Sequence, residues 1–224
     1  MKLIKVIIAF LFSTSLLAQL PHEIGLSFGG SNYIGDIGRE FILPNEFAGG
    51  IIYKRNINPK FSLRTAIHQY RITDDDKNSN KENRRIRNNH FSNKLTEFAV
   101  GFEINYRNYD ISSIDNTATP YIIAEFAAIR YDVVSSEIDK ENNIYSYKKK
   151  TSFSIPFGLG FKSKLVNRFS YSIEALAHYT FTDDLDYNLQ EIQSLQFGNL
   201  QDNDWYFFVG ASLSYSFGRC PCGK

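Results

Sequence analysis

The chain has 224 residues and a formal net charge of +1, from 25 Lys and Arg against 24 Asp and Glu. So balanced a charge offers nucleic acid no general attraction. No stretch reaches the roughly 18 apolar residues of a spanning helix, and both cysteines lie within the last five residues, so no disulfide framework holds the fold.

Residues 1–18 read as a secretory signal. Lys2 and Lys5 start it, residues 6–12 form a short apolar core, and small residues lead to a cut between Ala18 and Gln19. No cysteine follows the cut, so a lipidated first residue is not expected. Residues 19–224 then form one domain of about 200 residues, an ordinary size for a single barrel.

From there the chain alternates with a period of two, the mark of strands. Residues 22–30 set Ile24, Leu26 and Phe28 against Glu23, Gly25, Ser27 and Gly29. Residues 47–55 repeat the pattern, and Gly49 with Gly50 suggests a bulge or a close approach of backbones. Residues 61–72 set Phe61, Leu63, Thr65 and Ile67 against Arg64, Ala66, His68 and Tyr70. In residues 95–109, Phe98, Val100, Phe102 and Ile104 oppose Glu97, Ala99, Gly101 and Glu103. Residues 121–131 are less clean, with Ile122, Ala124 and Phe126 on one face and Tyr121, Ile123 and Glu125 on the other.

The next two runs form a hairpin. Phe153, Ile155, Phe157, Leu159 and Phe161 oppose Ser154, Pro156, Gly158, Gly160 and Lys162. After a tight turn at 166–168, Phe169, Tyr171, Ile173, Ala175 and Ala177 oppose Ser170, Ser172, Glu174, Leu176 and His178. Residues 205–217 close the set and end on Phe217.

Ordinary strands run to about five or six residues, whereas a tilted strand crossing a bilayer needs about 9–11. One face of each run is aromatic and aliphatic, and the other is small or charged, as in barrels with lipid outside and polar groups inside. A long sandwich strand is the bland alternative for any single run. Connections at 31–44, 73–93, 132–150 and 181–204 are long and polar. Those at 56–60 and 166–168 are tight, and 108–119 is intermediate. Together these features predict an all-β fold, an eight-stranded antiparallel transmembrane β-barrel in the bacterial outer membrane with both termini periplasmic. Eight strands leave an interior that side chains just fill. The expected lumen network is Arg64, Glu97, Glu103, Glu125, Lys162 and Glu174. Pro156 is expected only at a bulge. Phe157→Arg should be costly on the lipid face, and Gly158→Ser in the lumen much less so.

Other candidate groups have simpler readings beside the functional ones. Asp183, Asp184 and Asp186 could hold Ca²⁺, but Asp side chains bonding local backbone N–H groups is the reading adopted, with no metal or cofactor site. Arg84, Arg85 and Arg87 sit in a polar loop that could meet lipid phosphates or an acidic partner, against a plain solvated loop. His68 and His178 point inward near serines, yet no nucleophile elbow or metal-ligand spacing accompanies them. The chain is therefore read as no enzyme and as having no small-molecule substrate. Cys220 and Cys222 flank only Pro221, so pairing with each other demands strain. A disulfide to a partner and a free pair remain the alternatives.

The residues EIGLSFGGSNYIGDI, IPFGLGFK followed by TFTDDLD, and GRCPC occur in an order that resembles the PorG family, small outer-membrane barrels of the Bacteroidota type IX secretion system. The likeness runs from Glu23 to Cys222. Asp184 departs from it, since relatives tend to carry an aromatic after TFTD. The resemblance implies a non-enzymatic part in protein secretion, often coupled to gliding motility. It also implies partners: a periplasmic ring lipoprotein with its partner subunits, to which Cys220 or Cys222 would tether. A stand-alone OmpA-like adhesion or membrane-stability barrel is the alternative, and an outer-membrane lipid hydrolase comes third.

Overall fold

The computed structural model describes residues 22–38, 42, 44–112, 117–139, 144–189, 192–197 and 202–218. The expected signal at 1–18 and the two cysteines lie outside them. Among these residues eight strands follow one another around a closed antiparallel ring. They are β1 His22–Ile34, β2 Glu46–Asn58, β3 Phe61–Asp75, β4 His90–Asn105, β5 Ala118–Asp139, β6 Ile144–Val166, β7 Phe169–Thr180 and β8 Trp205–Phe217. Closure comes from β1 pairing with β8 along its whole length, from His22 opposite Phe217 to Ile34 opposite Trp205. With every strand paired on both sides, no edge is left for lipid to leave unsatisfied. This is a transmembrane β-barrel.

Its two surfaces follow from the alternation. Outward residues such as Phe28, Phe47, Phe98, Phe126, Phe157 and Leu159 are exposed on the wall, while Glu23, Arg64, Glu97 and Lys162 are buried inside. Such a reversal of the usual inside and outside is stable only where the exterior solvent is itself apolar. The turns at 59–60 and 167–168 lie at one end, and Asn167 takes a left-handed φ of 50° to make its turn. The connection after β4 also lies at this end, and it tucks Tyr109 and Ile111 inward, where both are buried.

At the other end the strands run further than their alternation suggested. The polar connection expected at 132–150 is mostly a hairpin, because β5 continues to Asp139 and β6 begins at Ile144. Val133, Val134, Ile144, Tyr145 and Tyr147 carry the β-branched and aromatic preference that sustains strand where charges had suggested loop. The connection expected at 73–93 likewise holds strand at both ends, a 3-10 turn, and a short helix α1, Glu82–Arg87.

Two expectations about single residues are overturned. Pro156 sits at no bulge. The β5–β6 register is the same on either side of it, from Ala124 opposite Phe157 to Ala127 opposite Ser154, and only the pairs between lose their ladder contact. The missing N–H is absorbed as a local gap, while β7 still pairs Pro156 with His178. Gly158 has no room for a side chain, since a Cβ there would overlap the Ala175 carbonyl oxygen. Serine at 158 would force the β6 and β7 backbones apart. Gly50 is a close approach of the kind suggested, because a Cβ there would overlap the Ile67 carbonyl oxygen, but no bulge marks it.

Candidate functional site

The lumen holds the largest concentration of buried charge. Arg64, on β3, donates from Nη1 to Glu125 and from Nη2 to Glu174, both at 2.9 Å. Next to it, Glu103 on β4 is gripped by two lysines. Lys162 donates to its Oε1, and Lys54 Nζ lies 2.6 Å from its Oε2 in an ion contact. The first cluster has one carboxylate too many and the second one cation too many, and buried Glu23 adds a further carboxylate near Lys54. Tyr121 joins them. Its hydroxyl donates to Glu174 at 2.7 Å, and the ammonium groups of Lys54 and Lys162 each sit 5.3 Å from its ring centre. Tyr109 caps the second cluster at the turn end, with Lys162 over its ring.

Nearer the loops the polar groups centre on Glu97. His178 Nδ1 lies 3.0 Å from its Oε2, to which Ser154 and Tyr206 also donate, and Tyr70 donates to Oε1 at 3.3 Å. His178 stacks on Tyr206 with ring centres 4.2 Å apart. Phe208, Tyr33, Tyr131 and Leu176 close the space above. All six residues proposed for the lumen network are therefore buried and in contact with an opposite charge or, for Glu97, with His178. Lys54, Tyr121 and Tyr206 were not among them. The signal was present for Lys54, which alternates with the outward Ile51 and Tyr53. For Tyr121 the alternation gives a face but no partner, and nothing singles out Tyr206.

The pair Ser27 Oγ and His68 Nε2 at 2.7 Å has the spacing of a nucleophile and its base. Both side chains are buried within the filled lumen, and the His68 ring packs against Phe208 and Tyr70. The contact acts there as a hydrogen bond between strands.

Above the lumen the loops fold into a cap. Asp183, Asp184 and Asp186 do not converge. Asp184 accepts from Tyr131 at 2.6 Å, from Thr182 at 2.6 Å and from Lys150 at 2.5 Å. Asp186 accepts from Tyr33 and from the Asn188 N–H. Asp183 faces a cleft with Asp36, Asp202 and Asp204. Among the described residues no group of three or more acidic, His or Cys side chains is arranged for a metal ion. Burial first, and the Asp36 carboxylate after it, push the Asp183 carboxyl up to about 7. Burial pushes Asp186 up to about 7 as well, and Asp204 is also raised, by burial and by Asp186. Tyr33 links the two carboxyls, although its hydrogen bonds oppose the rise that burial imposes. Its hydroxyl is 2.9 Å from Asp186 and 2.5 Å from Asp204, but one O–H proton cannot serve both. A second proton on the carboxyl pair resolves the contact.

The arginine loop is tied down by bonds within the chain. Arg87 pairs with buried Asp76 at 2.7 Å and bonds the Asp36 carbonyl, while Arg85 and Arg84 bond the carbonyls of Ser79 and Gly38. These bonds fasten α1 onto the cap.

Residues 1–223 match the model of a family described as a domain of unknown function, DUF6089. No curated protein matches the chain. Among solved structures it is similar to Neisserial surface protein A, at 12% identity over 88% of this chain and 97% of that one, with a TM-score of 0.49. It is also similar to the N-terminal β-barrel domain of Pseudomonas aeruginosa OprF, at 11% identity, 86% and 97% coverage and a TM-score of 0.44. A major outer membrane protein from Thermus thermophilus gives 11% identity, 88% and 99% coverage and a TM-score of 0.45. The fold stands on the closed strand order itself.

Proposed function

The chain belongs to the DUF6089 family, and from that footing we propose that it is a structural, non-enzymatic barrel of the bacterial outer membrane serving type IX protein secretion. In this reading residues 1–18 are removed on export, and the turn end of the barrel faces the periplasm with both chain ends. There it anchors a ring lipoprotein and its partner subunits. One observation carries the structural part: the lumen is filled by mutually neutralising ion pairs and stacked rings from Tyr109 to Tyr206. Such filling supports a role carried by the barrel's outer surfaces and ends. The choice of secretion rests on the resemblance to the PorG family in EIGLSFGGSNYIGDI, IPFGLGFK, TFTDDLD and GRCPC.

Deleting the gene tests this reading. Loss of secreted cargo with retained cell-surface adhesion supports it, and normal secretion overturns it. The tether has its own test, because the periplasm favours pairing of thiols. Non-reducing gels of alkylated membranes should show a heavier adduct that reductant removes and that Cys220→Ser with Cys222→Ser lacks. A wild-type chain running only as monomer would mean non-covalent anchoring.

The ordered loop cap favours a second reading, a stand-alone adhesion or membrane-stability barrel. Lost adhesion with normal secretion in the same deletion strain would select it.

A further inference from the structure

The outer wall carries a feature that neither the filled lumen nor anchoring uses. Between Phe28 on β1, Phe47 and Ile51 on β2, and Ile67 on β3, Gly49 contributes no side chain. The wall is dented there into a groove of about 850 Å³. Towards the loop end the groove runs up to Arg71 on β3 and Lys94 on β4, with Glu46 and Lys149 also on its rim.

Arg71 and Lys94 stand directly opposite each other in the β3–β4 ladder. Both are exposed on the outward face, and neither side chain has an ion-pair or hydrogen-bond partner among the described residues. Like charges directly opposite destabilise a sheet, so the pair is a cost that folding alone does not explain. Lys149 is different, since Asp132 neutralises it at 2.8 Å. A third cation without a partner among the described residues, Arg130, faces outward opposite Thr96 on the neighbouring strand.

Height identifies the occupant. Phe61 opposite Ile104 begins the apolar wall on these two strands, and Arg71 opposite Lys94 lies ten steps above. At about 3.3 Å per residue and a tilt near 40°, that is roughly 25 Å, the height of a barrel's apolar band. The cations therefore sit where hydrocarbon gives way to headgroups, and the groove runs down from them into the hydrocarbon. A ligand that fits must be apolar below and anionic above.

We propose that this groove binds a phosphorylated membrane lipid, with an acyl chain over Gly49 and the phosphate between Arg71 and Lys94. The inference rests on the transmembrane fold and is independent of any role in secretion.

The test uses the full folded chain in neutral detergent, with folding checked by heat-modifiable migration. Diphosphoryl lipid A, phosphatidylethanolamine and inorganic phosphate are titrated separately, and bound mass and thermal midpoint are read. Lipid A should bind and raise the midpoint, and inorganic phosphate should do neither. Arg71→Gln with Lys94→Gln should weaken lipid A about thirtyfold, at roughly 1 kcal/mol per cation near an anionic headgroup. Arg107→Gln at the turn end should change nothing. Lys94→Glu separates a binding role from a structural one. Without lipid it should raise the midpoint by relieving the repulsion, and the lipid-induced shift should vanish. Equal lipid binding by wild type and both rim variants overturns the site, as does inorganic phosphate binding as well as lipid A. A fall in midpoint for lipid-free Lys94→Glu also overturns it. Cargo secretion is not read in this assay, so failure here leaves the anchoring reading standing.

Discussion

The lumen and the loop cap are both built from charged side chains, yet they handle charge in opposite ways. In the lumen each carboxylate in the two stacked clusters meets a full cation: Glu125 and Glu174 share Arg64, and Glu103 takes both Lys54 and Lys162. Around the cap, acids crowd together. Asp186 and Asp204 meet over the single hydroxyl of Tyr33, and Asp183 faces Asp36 and Asp202. The difference follows from the partners within reach in each region. Charges enclosed by a lipid-embedded wall must be neutralised by one another, because desolvation leaves several kcal/mol unrecovered for a lone ion. The cap carboxyls of Asp186 and Asp204 are buried too, but without a cation beside them, and their route is to take up a proton.

The sharpest way to break the lumen side is Arg64→Ala. Removing it leaves Glu125 and Glu174 buried with no cation in their cluster, which should cost about 3–5 kcal/mol, as for other broken buried pairs. The check is the urea midpoint of the heat-modifiable form. A loss under about 1 kcal/mol would mean that water already reaches the cluster, and the contrast with the cap would fall.

Next comes the wall that encloses those charges. Phe157→Arg places a charge on the lipid face and should cost roughly 2–4 kcal/mol. Its neighbour Gly158→Ser, though inward and small, should also destabilise strongly, because the Ala175 carbonyl occupies the Cβ position. If serine at 158 is neutral in the same unfolding assay, β6 and β7 are looser than their geometry indicates.

Particular residues show what was legible beforehand. The strand order and the inward charges could be read because a period of two is a local property: Phe157 beside Gly158, or Phe102 beside Glu103, declares its face without help from the rest of the chain. Partners could not be read that way. Arg64 and Glu174 are 110 residues apart and meet only once the ring closes. The backbone against Gly158 belongs to another strand, so a glycine that looked merely small proves to be sterically required. The long β5–β6 hairpin was hidden by its charges. Lys148, Lys149 and Lys150 read as solvated loop, although strands beyond the membrane can carry charge on either face. In the cap, the local-turn reading of the three aspartates holds for Asp186, which accepts the Asn188 N–H, but its bond to Tyr33 and that of Asp184 to Lys150 lie beyond any local pattern.

The cap side of the comparison is tested by pH. Asp183 and Asp186 are raised to about 7 when folded, against about 4 for a free Asp. The folded cap therefore holds protons that the open form would release. Its extra stability is fully present below about pH 4 and is lost as pH rises through about 7. Hydrogen exchange in residues 181–189 and 202–204 should speed up from mildly acidic to mildly alkaline buffer, with the barrel strands unchanged. Asp186→Asn, which mimics the protonated state, should flatten that response. Exchange that slows with rising pH, after correction for intrinsic rates, would mean the carboxyls are ionised and held by cations, as in the lumen.

The smallest effect is expected at an exposed cap contact whose distance matches a lumen pair. Lys150 and Asp184 meet at 2.5 Å, as close as the lumen contacts, but their side chains are 43% and 19% exposed. Distance alone would make this pair equal to Arg64 with Glu125. Exposure argues otherwise, since water screens the attraction and a long lysine gives up rotamer freedom to hold one position. Asp184 also keeps hydrogen bonds from Tyr131 and Thr182 if Lys150 leaves. Lys150→Ala should therefore cost about 0.2–1 kcal/mol, several times less than Arg64→Ala. A double-mutant cycle with Asp184→Asn isolates the pair from those other bonds. A coupling energy that falls as salt is added marks an exposed pair. If the coupling were instead large and indifferent to salt, burial would not be what separates the two contacts.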